Sequence, residues 1–172
     1  MGCDIHFYVE RYTTEPDMSN GPKDITEYRE ARVNSIIDST EVQPRWISQD
    51  DWEQGEYEGG KPYWRIDKEL YSGRNYWLFN LLADVRYGPD WLKPLDSPRG
   101  VPADASYAYR QVVKDWDCDG HSHSYFTLTE LLEVPDDMWD KIECSEFRRV
   151  MADMQVMDSN TDNVRCVFFF DN

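Results

Sequence analysis

Apolar and polar residues alternate strictly near the head of the chain. Cys3, Ile5, Phe7 and Val9 fall on one face, and Asp4, His6, Tyr8 and Glu10 on the other. A period of two is the mark of a strand with one face buried. The segment Asn163 to Phe170, NVRCVFFF, is apolar almost throughout. It is too apolar for an exposed edge, so it is expected inside a sheet, antiparallel to and beside the first strand. Between them the period changes. Leu78, Leu81, Leu82 and Val85 form one stripe at helical spacing, and Tyr76, Phe79, Ala83 and Arg86 a second. A helix is therefore expected over 74–86, buried on more than one side and ended by Gly88-Pro89. Phe147, Val150, Met151 and Met154 predict another helix over 144–157. Thr127 to Glu130 matches a capping box, and Pro135-Asp136-Asp137 suits the first turn of a short helix. His121 to Phe126 reads as a short strand after the Asp119-Gly120 turn, and 28–48 as a strand or two. Loops are expected near 13–27, 49–63 and 87–107, where Gly, Pro and polar residues gather. The pattern predicts a single α+β domain over 1–172. Its mainly antiparallel sheet has the N- and C-terminal strands adjacent, and about three helices pack on it.

Composition narrows the function classes. The chain has 172 residues, the size of one domain, and 15% aromatic residues, enough to fill a core. No apolar run has the length of a membrane helix and no secretion leader is visible, so a cytoplasmic protein is expected. The net charge is −16. Direct binding to nucleic acid and to anionic membranes is disfavoured by that charge. The acidic surface either keeps the protein soluble or mimics nucleic acid in the groove of a basic host protein. Cys3, Cys118, Cys144 and Cys166 include no CxxC pair, so neither a zinc knuckle nor a redox dithiol is expected. Cys3 lies on the apolar face of its strand and reads as an inert buried thiol. Met-Gly-Cys resembles an acylation signal, but the sixth residue is His6 instead of Ser or Thr, so lipidation is not expected.

All 3 histidines lie in two short segments. Asp4 and His6 are two apart, as are His121 and His123, so on strands each pair shares a face. If the strands are neighbours, Asp4, His6, His121 and His123 converge. Three readings follow: a site for a divalent transition metal, a metal-free acid–base site with His6 or His121 as base, or a polar network that holds a ligand or the fold. Arg is the better cation for planar, bidentate recognition of carboxylate or phosphate, and Arg74, Arg86 and Arg99 sit among aromatic residues. They are expected to meet anionic groups, while Tyr8, Tyr76 or a Trp stacks on a base. Arg74 and Arg86 bracket an apolar helix, so they are expected to be partly buried, and paired with carboxylates or facing a pocket.

MGCDIH, RNYWLFNLLADVR, PRGVPAD, DGHSHS and VRCVFFFDN occur in that order along the chain. Together they resemble a family of bacteriophage and prophage proteins that begin with the same MGCDIH string and end in a similar aromatic strand followed by Phe-Asp-Asn. The resemblance implies a phage protein in the cytoplasm of a bacterial host, and a setting of anti-defence. The function expected is binding, with or without hydrolysis, of a small phosphorylated or nucleotide-like anionic ligand. The alternatives are an acidic, non-enzymatic inhibitor of a basic host nucleic-acid-binding protein, and a phage protein whose polar motifs only hold its fold.

Overall fold

The head of the chain folds as its alternation predicts, into strand β1 (Ile5–Thr13). The computed structural model describes residues 2–13 and 63–171. The loops expected near 13–27 and 49–63, and the strands expected within 28–48, lie outside the described residues, except for Thr13 and Tyr63, which end strands. The remaining strands are β2 (Tyr63–Tyr71), β3 (His121–Thr127) and β4 (Val164–Phe170). They form a 4-stranded antiparallel sheet in the order β2-β1-β4-β3. The first and last strands are neighbours, in a register that sets Ile5 opposite Phe170 and Glu10 opposite Arg165.

Every residue of β4 is buried, because both of its faces are covered. On one face Cys166, Phe168 and Phe170 join Cys3, Ile5, Phe7 and Val9 of β1 in the main core. Helices α1 (Tyr76–Ala83) and α5 (Ser145–Gln155) complete that core through Leu78, Leu82, Phe147 and Met154. On the other face Val167 and Phe169 meet Tyr109, Val112, Val113 and Trp116 of helix α2 (Tyr107–Trp116). A strand buried on both faces reads as a continuous apolar run and not as an alternation. A fully buried Phe or Val there contributes about 1.5–3 kcal/mol each.

Two short helices, α3 (Leu128–Leu132) and α4 (Asp136–Lys141), connect β3 to α5. The capping box at Thr127 is present: its hydroxyl accepts from the Glu130 N–H at 3.2 Å, and Glu130 accepts from the Thr127 N–H at 2.8 Å. Five α-helices thus occur among the described residues, where about three are expected; four of them follow the helix signals in the sequence, and α2 is the one not expected from it.

Helix α1 is shorter than its pattern. Asn75 caps its start, accepting from the N–H groups of Trp77 and Leu78 at 3.0 and 3.1 Å. The helix ends at Asp84, whose φ of 55° is left-handed, and not at Gly88-Pro89. Arg86 is left-handed too, with φ of 67°. The chain then runs without helix or strand to Ser106, which is the long connection expected near 87–107. Among the described residues no helix is long and apolar enough to cross a membrane.

Candidate functional site

The β1–β4 pairing brings Asp4 beside Asp171, which follows β4. Their backbones are bonded, Asp171 N–H to Asp4 C=O at 3.2 Å. The Asp171 side chain then bridges the two strands. One oxygen accepts from the Asp4 N–H at 2.9 Å and the other lies 3.2 Å from His6 Nε2. Burial opposes ionisation of Asp171, but the Asp4 N–H, His6 and Arg74 outweigh it and hold its carboxyl below the usual range. A carboxylate only accepts, so it favours a proton on Nε2 of His6. The imidazole stacks on Phe169 at 4.7 Å and meets Trp116 at 4.2 Å between ring centres, so Asp171, β4 and α2 together fix its plane.

His6 and His123 lie on the same side of the sheet with β4 between them, and His121 does not join them. His123 also lies against Phe169, at 5.1 Å, so His6, Phe169 and His123 form a row on the α2 side of the sheet. His121 lies against Phe170, a ring of the main core, at 6.2 Å. The reason is a bulge. His121 pairs with Phe170 but Ser124 with Phe168, and Ser122 takes a φ of 52°. One extra residue breaks the rule that positions two apart share a face. Burial pushes the His123 imidazole pKa down, with the Gly120 backbone opposing.

Asp4 is not aimed at an imidazole. Its carboxylate takes the Arg74 guanidinium, with Nε at 2.7 Å and Nη2 also in contact. Among the described residues no group of three or more His, Cys, Asp or Glu side chains is arranged to hold a metal ion. The metal reading of Asp4, His6, His121 and His123 gains no support from this geometry.

The expected ligand contacts separate as well. Arg99 is a clamp: it reaches Asp96 at 3.0 Å, Glu130 at 2.8 Å and the Tyr125 carbonyl at 3.1 Å, and lies 4.3 Å from the Phe126 ring centre. Tyr8 is half-buried against Tyr109. Arg74 and Arg86 are exposed, not partly buried, because both fall outside the short helix α1. Arg74 has its carboxylate. Arg86 makes no ion pair among the described residues, and its guanidinium lies 5.5 Å from the centre of the exposed Tyr76 ring. It also lowers the pKa of the Cys3 thiol, although burial is stronger and leaves the thiol raised.

Arg86 lines an open hollow of about 430 Å³, with Asn80, Asp84, Tyr87, Asp90 and Lys93. Asn80 is a residue the pattern analysis passes over. It is 5% exposed, and its Oδ1 is buried without a hydrogen-bond partner. The available signal is a polar amide among Phe79, Leu81 and Leu82. Asp171 is the other omission, and only the strand register reveals it.

A second polar cluster lies on the α2 side. Buried Arg165 donates to Glu10 at 2.7 Å and to Asp104 at 2.8 Å, with its guanidinium 3.9 Å from the centre of the Trp64 ring. Each charge there is answered by another, so the cluster reads as structural.

No family model, curated protein or solved structure matches this chain.

Proposed function

We propose that this protein binds a small anionic ligand, phosphorylated or nucleotide-like, in the hollow beside α1. The observation that carries this reading is Arg86: an exposed residue with no ion pair among the described residues, which lines a concave surface and whose guanidinium lies by Tyr76 and the Cys3 thiol. A guanidinium beside a ring keeps the N–H donors at its edge available for a phosphate. Lys93 adds a second cation to the same wall. The net charge of −16 repels long polyanions, whereas a short ligand meets only the local field of the hollow. In the phage setting that the resemblance implies, such binding would withdraw a nucleotide signal from the host.

The test is calorimetry and thermal shift against mono-, di- and cyclic nucleotides. A ligand at a hundredfold excess over its Kd is expected to stabilise the fold by ~2.7 kcal/mol. Arg86→Gln removes a charge-assisted contact and is expected to weaken binding about ten- to a hundredfold. Unchanged affinity in that variant, or no binding of any phosphorylated ligand, overturns the reading. If a basic host protein binds instead, the acidic-inhibitor alternative takes its place.

A further inference from the structure

We propose that the segment 96–100 guards the open edge of the sheet, and that its release lets β3 pair with β3 of a second copy of this chain. The proposal is independent of the hollow beside α1. Strand β3 stands at the end of the strand order β2-β1-β4-β3, with β4 on one side of it among the described residues. The backbone groups of alternate residues on such a strand point away from its neighbour, where another strand can take them. Two carbonyls at alternate positions, those of His123 and Tyr125, are taken by the segment instead. The Gly100 N–H donates to the His123 carbonyl at 2.8 Å, and Arg99 Nη1 to the Tyr125 carbonyl at 3.1 Å. Between them the Arg99 N–H donates to the Ser124 hydroxyl at 3.3 Å. Further along, the Thr127 N–H donates to Glu130 at 2.8 Å, and Glu130 is itself held by Arg99 at 2.8 Å. Groups at positions 123, 125 and 127 are thus closed by one linked set of bonds, with Arg99 at its centre.

Sheet edges are commonly protected by charged side chains on the strand itself. Strand β3, HSHSYFT, has no Asp, Glu, Lys or Arg. Its protection comes from outside, and the segment is held in place to give it. Asp96 fixes Arg99 Nε at 3.0 Å, and the guanidinium lies 4.3 Å from the centre of the Phe126 ring. Gly100 has a φ of 84°, and a Cβ there would meet nothing within 4 Å. Glycine at this position serves the backbone angle that brings its N–H to His123, and not a shortage of space. The partner that fits a released edge is a second copy. Antiparallel pairing about a two-fold axis gives each freed donor of one β3 a matching acceptor on the other, so one surface supplies both halves of the contact. No charge on β3 opposes it. Two chains of net charge −16 repel each other, but that repulsion is screened beyond about 8 Å at physiological salt.

The test measures mass by analytical ultracentrifugation at physiological salt, over roughly the μM–mM range in which unpaired strand edges associate. Arg99→Ala removes the centre of the linked set. Gly100→Pro lacks the N–H and cannot take a positive φ, so it lifts the segment while leaving the Arg99 side chain intact. It carries the test should Arg99→Ala fail to fold. The unaltered protein is expected to stay monomeric, and the variants to shift from monomer to dimer as concentration rises. Hydrogen exchange then locates the contact. The N–H groups of His123 and Tyr125 point the same way as their carbonyls, and in the variants they are expected to exchange more slowly in concentrated than in dilute solution. Variants whose mass matches the unaltered protein at every concentration overturn the proposal, since the segment then only anchors its own loop. Association without slowed exchange at these two amides assigns the contact to another surface and also overturns it. So does concentration-dependent protection of the same amides in the unaltered protein, whose edge would then be unguarded.

Discussion

Arg165 and Glu10 are the most heavily desolvated ion pair described, with side chains 5% and 0% exposed. Taking two charges out of water is costly, and the pair is tolerated because every group has company. The guanidinium also reaches Asp104 and lies over Trp64, and the second Glu10 oxygen accepts from the Ser106 N–H at 2.8 Å. Removing one partner strands the other. Glu10→Leu is therefore expected to cost about 3–5 kcal/mol in denaturant unfolding. The double variant Glu10→Leu/Arg165→Met is expected to cost less than the single one, since no buried charge is left alone; Asp104, which loses Arg165, is 65% exposed and stays hydrated. A single variant with an unchanged midpoint would show that the pair carries no stability. Both residues are visible in the sequence, Glu10 on the polar face of β1 and Arg165 beside an apolar run. Their meeting is not, because it depends on register, as does the meeting of His6 with Asp171. Asn80 was readable as an amide inside an apolar stripe, but its unanswered oxygen depends on where Asp84 and Arg86 turn back toward it.

At the scale of elements, local signals were legible where the residues that make them are neighbours in the chain. The capping box at Thr127 is such a case, since all of its bonds lie within four residues. Thr127→Ala is expected to lower stability by about 1 kcal/mol, read as a fall in thermal midpoint with no change in the fold. No shift in midpoint would mean that the packing of Leu128 and Leu131 alone holds the helix start. Strands β1 and β4 and helix α5 were equally clear, because burial imposes a strong period or a continuous apolar run. Strand β2 was not. Its sequence YWRIDKELY has charged residues at both odd and even positions, so the alternation that marks a half-buried strand is weak. Helix α2 has Tyr109, Val112, Val113 and Trp116 at helical spacing, but it has only 10 residues and follows a stretch rich in Pro and Gly. The bulge at Ser122 had no signal at all: nothing in HSHS separates a regular strand from one with an extra residue. That single residue divides the two histidines between opposite faces.

Over the whole molecule, the charge of −16 acts on the folded state as self-repulsion. Exposed pairs, such as Arg148 with Asp136 and Asp140, oppose it at about 0–1 kcal/mol each. The unbalanced excess is larger than these pairs can offset. Raising salt from about 0.01 M to 0.15 M shortens the screening length from about 30 Å to 8 Å, and the thermal midpoint is expected to rise. A fall would show that the exposed pairs dominate. The adjacency of β1 and β4 also bears on how the native state is reached. The bond from Asp4 to Asp171 spans 167 positions. Closing so long a loop adds little to the equilibrium cost, because that cost grows only with the logarithm of length. It weighs on the rate instead, since contacts between distant residues form late in the search. Helices can appear early from local contacts, while VRCVFFF waits for a partner strand from far along the chain. During that interval its rings stand unpaired in water, in a segment rich in aromatic and branched residues with a single charge. The strand that anchors the finished sheet is thus the chain's main hazard during folding, and the race between β1 docking and self-association of β4 governs the yield of native protein.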